Sequence, residues 1–125
     1  MKKIWKIILG LFITFFIIII ALIAIFVYIT KIRITDVAEF ANEENTYKII
    51  FQAVGEPEWP FGRTKVKVTL INSNNKKINS FEEYISDDGA VARKENIKVN
   101  WYDDYVEITL IGGEQKDDIH QLKYK

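Results

Sequence analysis

Between Ile7 and Ile29 the chain runs for 23 residues without a charge, and Thr14 and Tyr28 carry the only hydroxyls in that run. No other feature constrains the fold as much. Lipid offers no partner to a peptide N–H or C=O, so an apolar stretch inside a bilayer must close its hydrogen bonds within itself. As an α-helix it reaches about 34 Å, against a hydrocarbon core about 30 Å thick. The many isoleucines do not oppose this, because solvent outweighs their weak preference for extended backbone. We expect a transmembrane helix over residues 7–29, behind a basic segment at residues 1–6. The competing reading is a cleaved signal peptide, which needs an apolar core of about 7–15 residues and small residues at the cleavage site. This run is longer and ends Tyr28-Ile29-Thr30-Lys31, so an uncleaved signal anchor fits better.

Flanking charge sets the expected orientation. Lys2, Lys3 and Lys6 lead the run, whereas Lys31 and Arg33 behind it are soon followed by Asp36 and Glu39. The bias favours the N-terminus in the cytoplasm and the C-terminal part outside, a single pass through the cell membrane. Trp5 and Tyr28 stand near the two ends of the run, where amphipathic rings prefer to sit. The net charge of zero conceals an asymmetry: beyond the run, 14 Lys and Arg face all 17 Asp and Glu, a net of −3. A mildly acidic domain speaks against a nucleic-acid partner, which would require a basic surface. The chain has no cysteine, which excludes disulfides, cysteine-based metal or redox sites and N-terminal lipid attachment through cysteine.

Residues 30–45 read as a linker. Asp36 and Glu39 resemble a helix cap, and Val37, Phe40 and Ala41 share one face at i, i+3, i+4, so a short helix is expected over about residues 36–43. Residues 46–125 then alternate with period two. "YKIIFQAV" puts Tyr47, Ile49, Phe51 and Ala53 on one face, and "TKVKVTL" turns Val66, Val68 and Leu70 inward. Residues 77–86 form a less regular strand. "IKVNWY" and "YVEITL" turn Ile97, Val99, Trp101, Val106, Ile108 and Leu110 inward, and "IHQLKY" is a weaker sixth candidate. Turns fall at Ser73-Asn74-Asn75-Lys76, Asp87-Asp88-Gly89, Asp103-Asp104 and Gly112-Gly113, residue types that tolerate turn dihedrals. The expected fold is mainly β: the N-terminal helix, the short linker helix, and a small antiparallel meander of five to six strands curled into a partial barrel or sandwich. In such a meander loops 55–62, 87–96 and 112–118 share one end, away from the membrane.

The segments "GEPEWPFGRTKVKVTL", "YISDDG" and "NWYDDYVEITL" resemble those of small membrane-anchored proteins of unknown function from low-GC Gram-positive bacteria. The likeness covers about residues 45–124. It implies a setting and no catalytic residues.

Motifs that would carry chemistry are missing. His120 is the only histidine, and Ser73, Ser80 and Ser86 lie outside any nucleophile-elbow pattern. Zinc would need more His or Cys ligands. Gly112-Gly113 lacks the Lys-Ser/Thr of a phosphate loop. "DDGAVARKE" does not follow the EF-hand spacing, and Glu82 and Glu83 point to opposite faces of a strand. We expect no enzyme, no metal and no cofactor.

One stretch stands apart. "GEPEWPFG", residues 55–62, sets Pro57 and Pro60 around Trp59 and brackets the whole with glycines. Proline fixes its own φ and holds the preceding residue extended, so Trp59 and Phe61 should be held in set directions. Three roles are open to them: a plug for the open end of a small core, which is the expectation; an aromatic platform that, with Glu56 and Glu58, binds a peptide or glycan; or a homo-oligomer contact. The expected function is a non-enzymatic β domain displayed outside the membrane for binding or envelope interaction, its partners the lipid bilayer and an envelope protein, peptide or glycan. An accessory subunit of a larger membrane complex is the alternative, and a hydrolase acting on the cell wall is a weaker one.

Overall fold

The computed structural model describes residues 2–124. Helix α1, Lys2–Val27, continues into a π-helical turn, Tyr28–Ile32. No residue of α1 is buried within the chain, and it is long and apolar enough to cross a membrane. Both threonine hydroxyls are satisfied along the helix and its π turn: Thr14 Oγ1 donates to the Gly10 carbonyl and Thr30 Oγ1 to that of Phe26, both at 2.8 Å. Tyr28 keeps its hydroxyl on the exposed surface at the end of the run.

Seven antiparallel strands follow: β1 Ile34–Ala41, β2 Tyr47–Val54, β3 Thr64–Asn72, β4 Lys77–Ile85, β5 Ile97–Trp101, β6 Tyr105–Leu110 and β7 Asp118–Lys123. They form one four-stranded sheet in the order β1-β2-β3-β4 and one three-stranded sheet in the order β5-β6-β7. The period-two alternation is realised. Ile49, Phe51, Val66, Val68 and Leu70 of the first sheet are fully buried, as are Val106, Ile108 and Leu110 of the second, and all belong to one core. Phe81 of β4 stacks on His120 of β7 with ring centroids 4.1 Å apart, tying the two sheets along one edge.

The turns use the residues expected of them. Asn45, Asn75 and Asp88 have positive φ, a region that asparagine and aspartate tolerate better than most residues. Asn42 Oδ1 accepts the Thr46 and Tyr47 N–H groups, and Asn72 Oδ1 accepts those of Asn74 and Lys76.

The expected helix over residues 36–43 is instead strand β1. It pairs with β2 from Ile34↔Val54 to Ala41↔Lys48, with a bulge between Asp36 and Ala38. That bulge explains the misleading pattern. An extra residue lets neighbouring positions reach the same side, so Val37, Ala38 and Phe40 all pack on the core, much as a helical face would. Asp36 caps nothing; its Oδ1 accepts the Gln52 amide at 2.7 Å. Glu39 pairs with Lys48 at 3.4 Å. A lone helix of eight residues is marginal in water, whereas the edge of β2 offers a full ladder of backbone partners.

The extra strand also reverses the placement of the loops. A strand of eight residues carries the chain about 26 Å away from α1, so β2 begins at the far end and returns. Loop 55–63 is thereby brought back against the end of α1: the Gly55 N–H donates to the Arg33 carbonyl at 2.7 Å and the Glu56 N–H to that of Thr30 at 2.9 Å. Loop 86–96 joins it there, with Gly89 against the Phe61 backbone, and loop 111–117 follows, since the Gly113 N–H meets Asp87 Oδ1 at 3.0 Å and the Glu114 N–H meets the Ser86 carbonyl at 3.1 Å. The three loops share one end, as expected, but it is the α1 end and not the opposite one.

Candidate functional sites at the two ends of the sandwich

At the α1 end the segment from Gly55 to Gly62 is rigid for reasons that can be named. Gly55 is buried with φ +71°, and a Cβ there would collide with the Thr30 carbonyl oxygen. Glu58 closes the loop on itself: its N–H donates to the Arg63 carbonyl at 3.0 Å, its carbonyl accepts from the Gly62 N–H at 2.6 Å, and its carboxylate pairs with Arg63 Nε at 3.0 Å. The Arg63 guanidinium then lies 3.7 Å over the Tyr84 ring. Glu58 is thus occupied in shaping the loop, and Glu56 is exposed beside the end of α1.

Trp59 is 92% exposed and Phe61 73% exposed. The expectation that they plug the core is overturned. The core closes without them because the inner faces of both sheets already meet, and loop 86–96 covers the end instead. A Cβ at Gly89 would lie 2.9 Å from Phe61 Cα, so the two loops press together backbone to backbone and leave the rings outside.

Asp87 holds that loop cluster. Its Oδ1 accepts the Gly113 N–H, and its Oδ2 receives the Asn96 amide at 3.2 Å and Arg93 at 3.3 Å. The Gly113 N–H first, and then the Asn96 amide, hold its carboxyl below the usual carboxylate range. This aspartate is a structural clasp, in keeping with the turn role read from the sequence.

The opposite end carries a broad groove of about 1220 Å³ that sequence reasoning missed. Its wall is aromatic. Tyr124 stacks on Tyr47 with ring centroids 4.3 Å apart and lies 6.5 Å from Trp101, while Tyr102 stacks on Tyr105 at 4.9 Å. The single proton of the Tyr124 hydroxyl is shared between the Tyr102 carbonyl at 2.7 Å and the Tyr105 carbonyl at 2.9 Å. Burial raises its pKa above the ordinary tyrosine value. Glu43, Glu44, Asp103 and Asp104 also line the groove. These residues come from the β1–β2 turn, the β5–β6 turn and the segment after β7. Only the strand registers bring them together, and the one local hint is the pair Tyr102 and Tyr105 flanking Asp103-Asp104.

Comparison with known proteins finds no matching family model, no matching curated protein and no matching solved structure. The chemistry of the chain is therefore read from its own geometry.

His120 has neighbours that its position in the sequence did not suggest. Its Nε2 lies 2.9 Å from Asp118 Oδ2 and 4.0 Å from Glu83 Oε2, and the three side chains offer ligand atoms within 4.8 Å of one another. The imidazole is flat against Phe81 and half-buried, the packing of a histidine that fills a seam. Among the described residues no hydrogen bond joins it to Ser73, Ser80 or Ser86, so the arrangement contains no activated nucleophile. Glu82 and Glu83 diverge as expected: Glu82 pairs with Lys65 at 2.9 Å, and Glu83 faces β7.

Proposed function

We propose that the chain is a single-pass protein of the cell membrane, with its N-terminus in the cytoplasm, that displays a non-enzymatic β sandwich outside and binds a basic partner in the far-end groove. The observation that carries this reading is the polarity of the molecule. The apolar helix leaves one end of the sandwich, and the groove opens at the other, turned away from the bilayer. Its tyrosine and tryptophan rings suit the cation–π contact of lysine or arginine side chains, and its four carboxylates supply the complementary charge. A basic segment of an envelope protein or peptide matches both features. The leading lysines support the orientation.

Two measurements test it. A reporter active only in the cytoplasm, fused after Lys125, should be silent; activity would reverse the orientation. The full chain in phosphatidylcholine nanodiscs should bind a lysine-rich probe peptide saturably, and the double change Asp103→Asn, Asp104→Asn should weaken that binding. Absence of binding by the unaltered chain would remove the groove from the proposal. Stoichiometric co-purification with a larger membrane protein in mild detergent, held through α1, would favour the accessory-subunit reading instead.

A further inference from the structure

Trp59 and Phe61 lie where a soluble domain has no evident use for them. Outside the apolar helix and its π turn, the large hydrophobic residues that remain exposed are Ile34, Trp59, Phe61, Val91, Tyr102 and Ile119. All but Tyr102 fall at the α1 end or on the strand positions next to it. Exposed apolar side chains are thus gathered at the one end from which the helix emerges, and apolar groups clustered in that way mark a docking face.

The depth of that end can be placed. The uncharged run through α1 and its π turn is bounded by Lys6 and Lys31, so Thr30 and Lys31 stand where hydrocarbon gives way to headgroups. The headgroup layer is about 5–8 Å thick on each side. The Glu56 N–H is bonded to the Thr30 carbonyl, which sets the start of the loop at that level. Trp59 is three residues on, a reach of about 10 Å at most. That reach is comparable to the thickness of the interfacial layer that tryptophan favours, so the layer is accessible to its ring. The loop cannot swing away, because Gly55 is locked against Thr30 and Glu58 pinches the turn shut.

We infer that Trp59 and Phe61, with Val91 beside them, dock into the outer interfacial layer of the membrane that α1 crosses and hold the base of the sandwich against the lipid surface. The inference rests on the proposed membrane anchoring. Charge does not drive the docking. Glu58 and Asp87 are paired with Arg63 and Arg93, and Glu56 shares this end with Arg33 and Lys94, so opposite charges stand together there and an uncharged lipid surface is a sufficient match.

The test uses the full chain labelled with fluorotryptophan in phosphatidylcholine nanodiscs. The resonances of Trp5, Trp59 and Trp101 are assigned with Trp→Phe variants, and a spin label is carried on the lipid close to the headgroup. We expect Trp59 to broaden as Trp5 does, to be shielded from a gadolinium chelate dissolved in water, and Trp101 to be unmoved by the lipid label. A Trp59 line reached by the chelate and untouched by the lipid label, beside a broadened Trp5, would overturn the docking while leaving the anchoring intact. A Trp59 line shielded from both probes would mean a protein contact and would overturn it too. If Trp5 itself does not respond to the lipid label, the anchoring fails and the docking with it.

Discussion

Asp87 shows how much one side chain settles at the residue scale. Its carboxylate joins the β4–β5 loop to Gly113 and Asn96, and its pKa is lowered in the fold, by the Gly113 N–H above all. An aspartate depressed in this way contributes stability above its unfolded value of about 3.9 and loses it as pH falls through the folded value. Asp87→Ala should cost about 1.5–3 kcal/mol at neutral pH, the range for hydrogen bonds to a charged group. In denaturant titrations the gap from the parent protein should close below about pH 4. A gap that persists undiminished in acid would mean that the charge contributes nothing. Trp59→Ala should leave stability within about 0.5 kcal/mol, the usual range for surface changes, and not lose the about 3–5 kcal/mol that a buried aromatic costs. Val68 is fully buried and its neighbour Lys67 is not. Val68→Asp should therefore unfold the sandwich by stranding a charge in the core, and Lys67→Asp should nearly preserve it. Equal melting of the two variants would refute the assigned alternation.

At the scale of elements, β1 is the joint between helix and sandwich. No flexible linker separates them: the π turn ends at Ile32, β1 starts at Ile34, and the returning loop is bonded to both sides of that junction. Gly55 makes the close approach possible, having a left-handed φ and no room for a Cβ. Gly55→Ala should destabilise by more than about 1 kcal/mol, because the native backbone is incompatible with alanine there. It should also speed hydrogen exchange at the amides of residues 55 and 56. Gly10→Ala is the control, since a Cβ at Gly10 meets nothing within 4 Å. Unchanged exchange in Gly55→Ala would mean that the helix and the sandwich are only loosely joined.

The whole molecule is polar along its length, with an apolar helix and exposed rings at one end and an acidic aromatic groove at the other. That arrangement would make the proposed binding in the groove sensitive to ions. The Debye length falls from about 30 Å at 0.01 M salt to about 8 Å at 0.15 M, so affinity for a lysine-rich probe should drop across that range. An affinity independent of salt would point to the rings and not to Glu43, Glu44, Asp103 and Asp104 as the source of binding.

The apolar helix, the alternating strands and most of the core were legible in the sequence, because each rests on periodicity within one segment: Val66, Val68 and Leu70 are inward wherever β3 is placed. The turns were legible for the same local reason, in the Asn, Asp and Gly that tolerate their dihedrals. Residues 34–41 were not. Their apolar spacing fits a helix, and only the unpaired edge of β2, together with a bulge at Val37, made them a strand. That one strand carries the chain across the sandwich once more, so it decided which loops face α1. It turned Trp59 from an expected core plug at the far end into an exposed ring beside the helix. The groove is the same kind of case: Tyr47, Trp101, Tyr105 and Tyr124 come together through strand pairing between distant segments, which no local pattern of residues records.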